Sequence, residues 1–281
     1  MKKNRIFSFI IIGLIYIIAT IIGLLAYKKL SYAFWINLLI ADVVATIIVF
    51  IFSCILKNAS VYDPYWSVQP IVIILFFIYK YGFNITNILF LIVVSIWGLR
   101  LTLNWIYTFK NLTFQDWRYT MLKEKTKKFY PIINFIGIHM VPTLIVYGCI
   151  IPVIFVIVEV GKINIITLLS LLVSICACTI QGIADIQMHT FRKNKRTGFI
   201  RDGLWKYSRH PNYFGEIMMW WGIGIASVSC LPNKWFLLAG ALCNTLLFLF
   251  VSIPMADNKN KKRGDFEKLK SETRMLLPIK K

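Results

Sequence analysis

Long uninterrupted apolar runs constrain this chain more than any other feature. After Lys2, Lys3 and Arg5 come about 22 apolar residues, Ile6 to Tyr27. Further runs occupy about 33–56, 68–80, 85–108, 132–158, 163–188, 214–230 and 234–254. A bilayer core roughly 30 Å thick needs about 20 helical residues to cross it, and most of these runs have that length. The first is too long for a signal-peptide core and has no small-residue cleavage site after it, so it is read as an uncleaved span. The third is short, and Gln69-Pro70 leaves its start open. The runs are continuous rather than alternating, which excludes a membrane β-barrel. The expectation is an all-α polytopic helical membrane protein with seven to eight transmembrane helices. Along the chain this divides into N-terminal helices (1–56), a membrane core (57–255) and a basic tail (256–281).

Composition agrees. Of 281 residues 58% are hydrophobic and 16% charged, against roughly a quarter charged in soluble domains. A soluble dinucleotide-binding enzyme, a disordered chain and a disulfide-stapled module are excluded. The net charge of +20 would suggest nucleic acid in a soluble protein; in a membrane protein it points first to Lys and Arg in cytoplasmic loops. Twenty-five of the 32 cations fall in four segments: the N-terminus, 110–130, 190–212 and the tail from Asp257. With eight alternating spans all four lie on one side. The opposite loops hold only Lys28, Lys29, Lys80, Lys162 and Lys234. Both termini are therefore expected in the cytoplasm, and no nucleic-acid partner is expected. Six cysteines without a C-x-x-C pair read as small core residues. Three histidines without ligand spacing suggest no metal.

Polar groups inside spans are costly and mark functional or packing sites. Gln181, Asp185, His189 and Arg192 recur at i, i+4, i+8 and i+11, one stripe of a helix. A structural Asp–Arg pair would need only two of the four. Arg100, Asn104 and Tyr107 repeat the pattern in the fourth run. Arg100 sits about 13 Å from the helix end by helical rise, beyond simple snorkelling, so it needs a fixed partner, Asp185 or a bound polar group. Asp42 is a lone acid near Thr46, read as a packing or neutral carboxyl. The densest segment runs from Gly203 to Glu216 and continues to Trp220-Trp221-Gly222. In it Tyr207, Arg209, His210, Asn212, Tyr213 and Glu216 crowd a helix start at Pro211. Free N–H groups there, beside Arg209, suit a phosphate or ribose; an interfacial Arg/Tyr/Trp belt is the structural alternative.

With Asp185-x-Gln187-x-x-x-Phe191 upstream, this string resembles the steroid 5-alpha-reductase-like superfamily, in particular its DUF1295 branch. Asp63-Pro64-Tyr65-Trp66, Trp97-Gly98-Leu99-Arg100-Leu101 and Asp116-Trp117-Arg118-Tyr119 match in the same order, covering about residues 60–255. The shorter Arg-His-Pro-x-Tyr element is shared with isoprenylcysteine carboxyl methyltransferases and sterol reductases. The resemblance implies a membrane enzyme that uses NADPH to reduce a carbon–carbon double bond conjugated to a carbonyl in a steroid or enoyl lipid.

In the 5-alpha-reductases an Asp and an Arg seven residues later hold the cofactor, as Asp185 and Arg192 are spaced here. The family's Asn, Gly, Glu and Trp match Asn212, Gly215, Glu216 and Trp220. With Arg100, Asn104, Gln181, Tyr207, Arg209, His210 and Tyr213 these form the expected NADPH set. Two positions depart: the family's C-terminal Glu is here Asp257, and its tail tyrosines are Phe266 and Leu269. Gly222-Ile223-Gly224 lies in an apolar span with no preceding strand and is not a Rossmann fingerprint. Hydride addition places negative charge on the carbonyl oxygen, which needs a donor, and a proton must reach the alpha carbon. Asp63 with Tyr65 is the candidate pair; an Asp-Pro turn between helices is the structural alternative. The competing readings are an S-adenosylmethionine-dependent methyltransferase and a non-catalytic lipid-binding membrane protein. The expected partners are a hydrophobic small molecule and membrane lipids. The membrane is the plasma membrane in a bacterium and the endoplasmic reticulum in a eukaryote, and residue usage leaves both open, as it does oligomeric state.

Overall fold

The computed structural model describes residues 2–194 and 197–281. Lys195 and Arg196, two of the cations counted in the 190–212 loop, lie outside the described residues. Twelve α-helices follow in order among the described residues: α1 (Arg5–Lys29), α2 (Phe34–Leu56), α3 (Tyr65–Tyr81), α4 (Ile85–Thr108), α5 (Trp117–Thr126), α6 (Tyr130–Ile132), α7 (Val141–Val158), α8 (Ile165–Lys193), α9 (Pro211–Cys230), α10 (Ala239–Leu247), α11 (Ile253–Asn260) and α12 (Phe266–Glu272). Two π-helical stretches, Ile133–Met140 and Phe248–Ser252, run into α7 and α11. Within the described residues there is no strand, only one parallel bridge between Ser208 and Arg274.

Seven helical segments among these residues are long and apolar enough to cross a membrane: Arg5–Lys29, Phe34–Leu56, Ala59–Tyr81, Ile85–Thr108, Trp117–Val158, Ile165–Lys193 and Pro232–Asn260. The chain is a multi-pass integral membrane protein of all-helical fold. The third span is longer than its apolar run suggested. A 3-10 turn (Ala59–Val61) leads into α3, which continues through Pro70. The last span also extends past residue 254, to Asn260. The run at 214–230 is α9, which at 20 residues reaches about 30 Å. It is not among the seven because Asn212, Glu216 and its tryptophans dilute its hydropathy. Helix ends follow local capping chemistry. Asn4 accepts the Phe7 N–H at the start of α1. Asn164 and Thr167 form a reciprocal box at α8, each backbone N–H donating to the other's side chain at 3.1 Å, so two otherwise unpaired donors are satisfied.

The chain divides into two compact units that do not follow chain order. The first takes in residues up to Ile73 together with Leu101–Tyr147; the second takes in Ile74–Arg100 and Gly148–Lys281. In the first unit α1 buries Ser8, Ile12, Ile15, Ala19 and Gly23 at helical spacing, while Ile10, Leu14, Ile17 and Ile21 are exposed. That distribution suits a lipid-facing span whose small residues meet a neighbouring helix. Ala45 and Val49 of α2 pack on this stripe with Tyr62, Tyr65 and Phe109. In the second unit α8 and α9 are the principal packed pair, and α12 and the tail after it fold back on the residues that precede α9.

Candidate functional site

The α8–α9 contact is close because α9 carries glycine where the helices touch. A Cβ on Gly215 would lie 2.7 Å from the Ala177 carbonyl oxygen, and one on Gly222 would lie 2.2 Å from Ser174 Oγ and 2.7 Å from the Ser170 carbonyl oxygen. The spacing of seven puts both glycines on one face of α9. Ser174 Oγ donates across the seam to the Met219 carbonyl at 3.1 Å. This approach brings Gln181 of α8 against Glu216 of α9.

Glu216 is buried and takes hydrogen bonds from three side chains. Gln181 Nε2 donates at 2.6 Å, Trp220 Nε1 at 2.9 Å, and Trp97 Nε1 to the two oxygens at 3.0 and 2.9 Å. The indoles of Trp97 and Trp220 meet edge to face with centroids 4.7 Å apart. A carboxylate so supplied with donors ties α4, α8 and α9 together at a depth where unpaired charge would be costly.

One turn further along α8 the stripe changes partner. Arg100 Nη1 of α4 lies 2.7 Å from Asp185 Oδ2, with both side chains less than a fifth exposed. Asn212, in the first turn of α9, also faces Asp185, and His189 is within electrostatic reach. Arg100 Nε and Gln181 Oε1 are buried and make no hydrogen bond. Arg192, at the end of the stripe, is exposed.

The segment before α9 is fastened from both sides. Gln187 Oε1 accepts the Leu204 N–H at 3.0 Å, and Trp205 Nε1 donates to the Ala184 carbonyl at 2.9 Å. On the other side Arg209 N–H donates to the Arg274 carbonyl and Arg274 N–H to the Tyr207 carbonyl, both at 2.9 Å. His210 Nε2 and Asp257 Oδ1 are 2.8 Å apart, with Arg209 Nη2 3.7 Å from the second Asp257 oxygen. Tyr213 stacks parallel on His210 and tilts against Phe248. Asp257 is thus bonded to the Arg-His pair, and Phe266 and Leu269 are buried.

The sequence-derived residues in the second unit therefore form three linked groups. These are Arg100–Asp185–Asn212, Gln181–Glu216–Trp220, and Arg209–His210–Tyr213 with Tyr207 beside them. The other candidates lie in the first unit. Asn104 is half-buried. The Tyr119 hydroxyl donates to Asp63 Oδ1, so the Asp-Pro turn is pinned to the Asp116-Trp117-Arg118-Tyr119 motif. Tyr65 is buried against Tyr16 and Tyr62, with ring centroids 5.4 and 5.7 Å away.

Two features were missed from sequence. Trp97 and Gln187 stood in the matched strings, yet their roles as donor and acceptor depend on partners far along the chain. The second is a buried polar cluster in the first unit around Asp42, whose oxygens accept no well-formed hydrogen bond although the Gln69 amide faces them. Tyr62 Oη and Thr46 Oγ1 lie 2.8 and 3.0 Å from Thr143 Oγ1. The π-helical stretch places His139 against the Tyr62 ring at 4.7 Å, with Nε2 buried and unbonded. A widened turn of this kind re-aims side chains and recurs at functional sites. Among the described residues no group of three His, Cys, Asp or Glu is placed to hold a metal ion.

No curated protein and no solved structure matches this chain. Residues 49–273 match the family model described as Protein of unknown function (DUF1295). That range carries all three linked groups of the second unit together with Asp63, and the chain belongs to the DUF1295 family.

Proposed function

We propose that this protein is a membrane-embedded NADPH-dependent reductase of a conjugated carbon–carbon double bond in a steroid-like or enoyl-lipid substrate. One observation carries the reading. The Arg100–Asp185–Asn212 group joins the α8 stripe to the start of α9, and the resemblance to 5-alpha-reductases puts cofactor ligands at two of its three positions, Asp185 and Asn212. Arg100 Nε is a buried donor without a partner, which suits a phosphate or ribose oxygen. The start of α9 offers less than the sequence suggested, because Pro211 has no N–H, Asn212 Oδ1 takes the Tyr213 N–H at 3.1 Å and the His210 carbonyl takes that of Phe214.

Arg100, Asp185, Asn212, Arg209 and His210 are the proposed holders of NADPH. Glu216 acts differently. With its oxygens engaged by Trp97, Gln181 and Trp220, it braces the wall of the site. Arg192, Tyr207 and Tyr213 stay in the proposed set as flanking groups, and Asn104 stays in it on its helical spacing from Arg100 alone. The cofactor held there would, when bound, be the source of the hydride for the beta carbon of the unsaturated carbonyl. The chain's own part is to fix Asp185 by ion pairing, so that little reorganisation is needed when a ligand binds, and to exclude water by burial. Asp63 and Tyr65, which lie in the first unit, are proposed from their sequence motif alone as the groups that polarise the carbonyl and return a proton; within that unit Tyr119 fixes the Asp63 carboxyl. Under the proposal the site faces the cytoplasm, with both termini; the clustering of the basic segments supports this through the positive-inside rule.

The test is isothermal titration of detergent-purified full-length protein with NADPH, NADH and S-adenosylmethionine. NADPH binding that is lost in Asp185→Ala and Asn212→Ala supports the proposal. Binding of S-adenosylmethionine alone replaces it with a methyltransferase.

A further inference from the structure

Beyond α12 the chain runs Arg274-Met275-Leu276-Leu277-Pro278-Ile279-Lys280, an apolar stretch bracketed by cations and outside the spans. It folds back and is tethered: Ser208 Oγ donates to the Leu276 carbonyl at 2.7 Å, and Lys281 Nζ donates to the Ser271 carbonyl at 2.8 Å. Together these segments enclose an open basin of about 510 Å³ lined by Arg209, Lys270, Thr273, Arg274 and Lys281 with Met275, Leu276 and Leu277. None of the lining residues is acidic. Arg209 is its one buried cation, its side chain 8% exposed. It donates to the Thr273 carbonyl through Nη1, while Nε is buried without a partner.

Two properties of this basin select its ligand. The cations and the unused guanidinium donor call for a phosphate, the anion that Arg and Lys bind best through several N–H groups. The rim is apolar and exposed: Met275 and Leu277 are 39% and 47% accessible. A soluble phosphate gains nothing from such a rim. A phospholipid supplies the phosphate and, directly beside it, acyl chains to cover exposed apolar side chains. Arg209 Nη2 also lies 3.7 Å from Asp257 Oδ2, near the end of the Pro232–Asn260 span, which puts the basin near a membrane boundary.

We propose that the basin formed by Arg209, α12 and the tail is a headgroup site for an anionic phospholipid, gripping the lipid phosphate and seating its glycerol end against Met275 and Leu277. The inference rests on the tail's geometry and not on the reductase reading, although Arg209 is common to both.

The test is native mass spectrometry of the full-length protein in mixed micelles doped with phosphatidylglycerol or with phosphatidylcholine, in the absence of nucleotide. Wild type retains phosphatidylglycerol preferentially. Lys270→Gln combined with Arg274→Gln removes two exposed cations and lowers phosphatidylglycerol affinity by about 30-fold, taking roughly one decade in affinity for every 1.4 kcal/mol and about 1 kcal/mol per surface cation. Phosphatidylcholine retention stays unchanged. Equal phosphatidylglycerol retention in the double variant, or no preference between the two lipids in wild type, overturns the site. Displacement of phosphatidylglycerol by 2′,5′-ADP or inorganic phosphate overturns the lipid assignment in favour of a soluble phosphate. Asp185→Ala, which removes the proposed nucleotide ligand, retains phosphatidylglycerol as wild type does, so failure of the reductase proposal leaves this result standing.

Discussion

Removing Arg100 alone should destabilise the ligand-free protein, whereas removing it together with Asp185 should leave its stability nearly unchanged. The two side chains pair at 2.7 Å and are 16% and 19% exposed. Two unit charges about 4 Å apart at an effective dielectric near 20 attract by about 4 kcal/mol, and desolvation offsets much of that. Breaking such a pair by deleting one partner costs roughly 3–5 kcal/mol because the survivor is left buried and uncompensated, whereas replacing both by apolar groups is often neutral or stabilising. Here Asn212 still faces Asp185 and softens the loss. Arg100→Met should therefore destabilise the ligand-free protein by about 2–4 kcal/mol. The double variant Arg100→Met/Asp185→Leu should come within about 1 kcal/mol of wild type. Both should lose NADPH binding. Arg100→Lys should keep most of the stability and only part of the affinity, since a point charge does not reproduce a forked donor set. The assay is ligand-free unfolding in one detergent, alongside titration with NADPH. A double variant as unstable as Arg100→Met would refute the energetic reasoning, and one that binds NADPH like wild type would refute the placement of the cofactor.

Glu216→Gln turns one acceptor oxygen into a donor facing an indole or amide N–H, so it should cost about 1–3 kcal/mol; an unchanged melting temperature would show that the three donors do not need a carboxylate. Gly222→Ala should destabilise by about 1–3 kcal/mol through overpacking. Ser174→Ala should restore only part of this, because the Ser170 carbonyl remains 2.7 Å from the new Cβ; full rescue would mean that the backbone contact is unimportant. NADPH should bind more tightly than NADH, with the gap narrowing as salt is raised, because a 2′-phosphate adds charge that an Arg can pair with; equal affinities at low salt would remove the basic segments from the argument.

The span pattern was legible because crossing a membrane demands continuous apolar length, a property local to each segment. Where a run was short or polar the reading was weakest. The third span starts earlier than residue 68, since Pro70 is accommodated inside α3, and α9 is a full-length helix whose polar residues face partners. The α8 stripe could be read too: a 3.6-residue period places Gln181 and Asp185 on one face whatever surrounds them. Arg100 was expected to need a fixed partner for the same local reason, its depth along α4.

Which groups meet was another matter. The sequence by itself determined the helices, their membrane lengths, their polar faces and the clustering of cations, all of which follow from composition and periodicity within one segment. Only the tertiary structure decided that Glu216 is met by Trp97 from 119 residues away, that Tyr119 holds Asp63, that Thr143 meets both Thr46 and Tyr62, and that Arg274 returns to pair with Tyr207 and Arg209. The reason is geometric. Periodicity fixes the direction of a side chain around its own axis, but the axis-to-axis distance and register are set by contacts such as Gly215 and Gly222 against α8. An error of one turn in that register, about 5.4 Å, is longer than a hydrogen bond and would exchange every partner in the site.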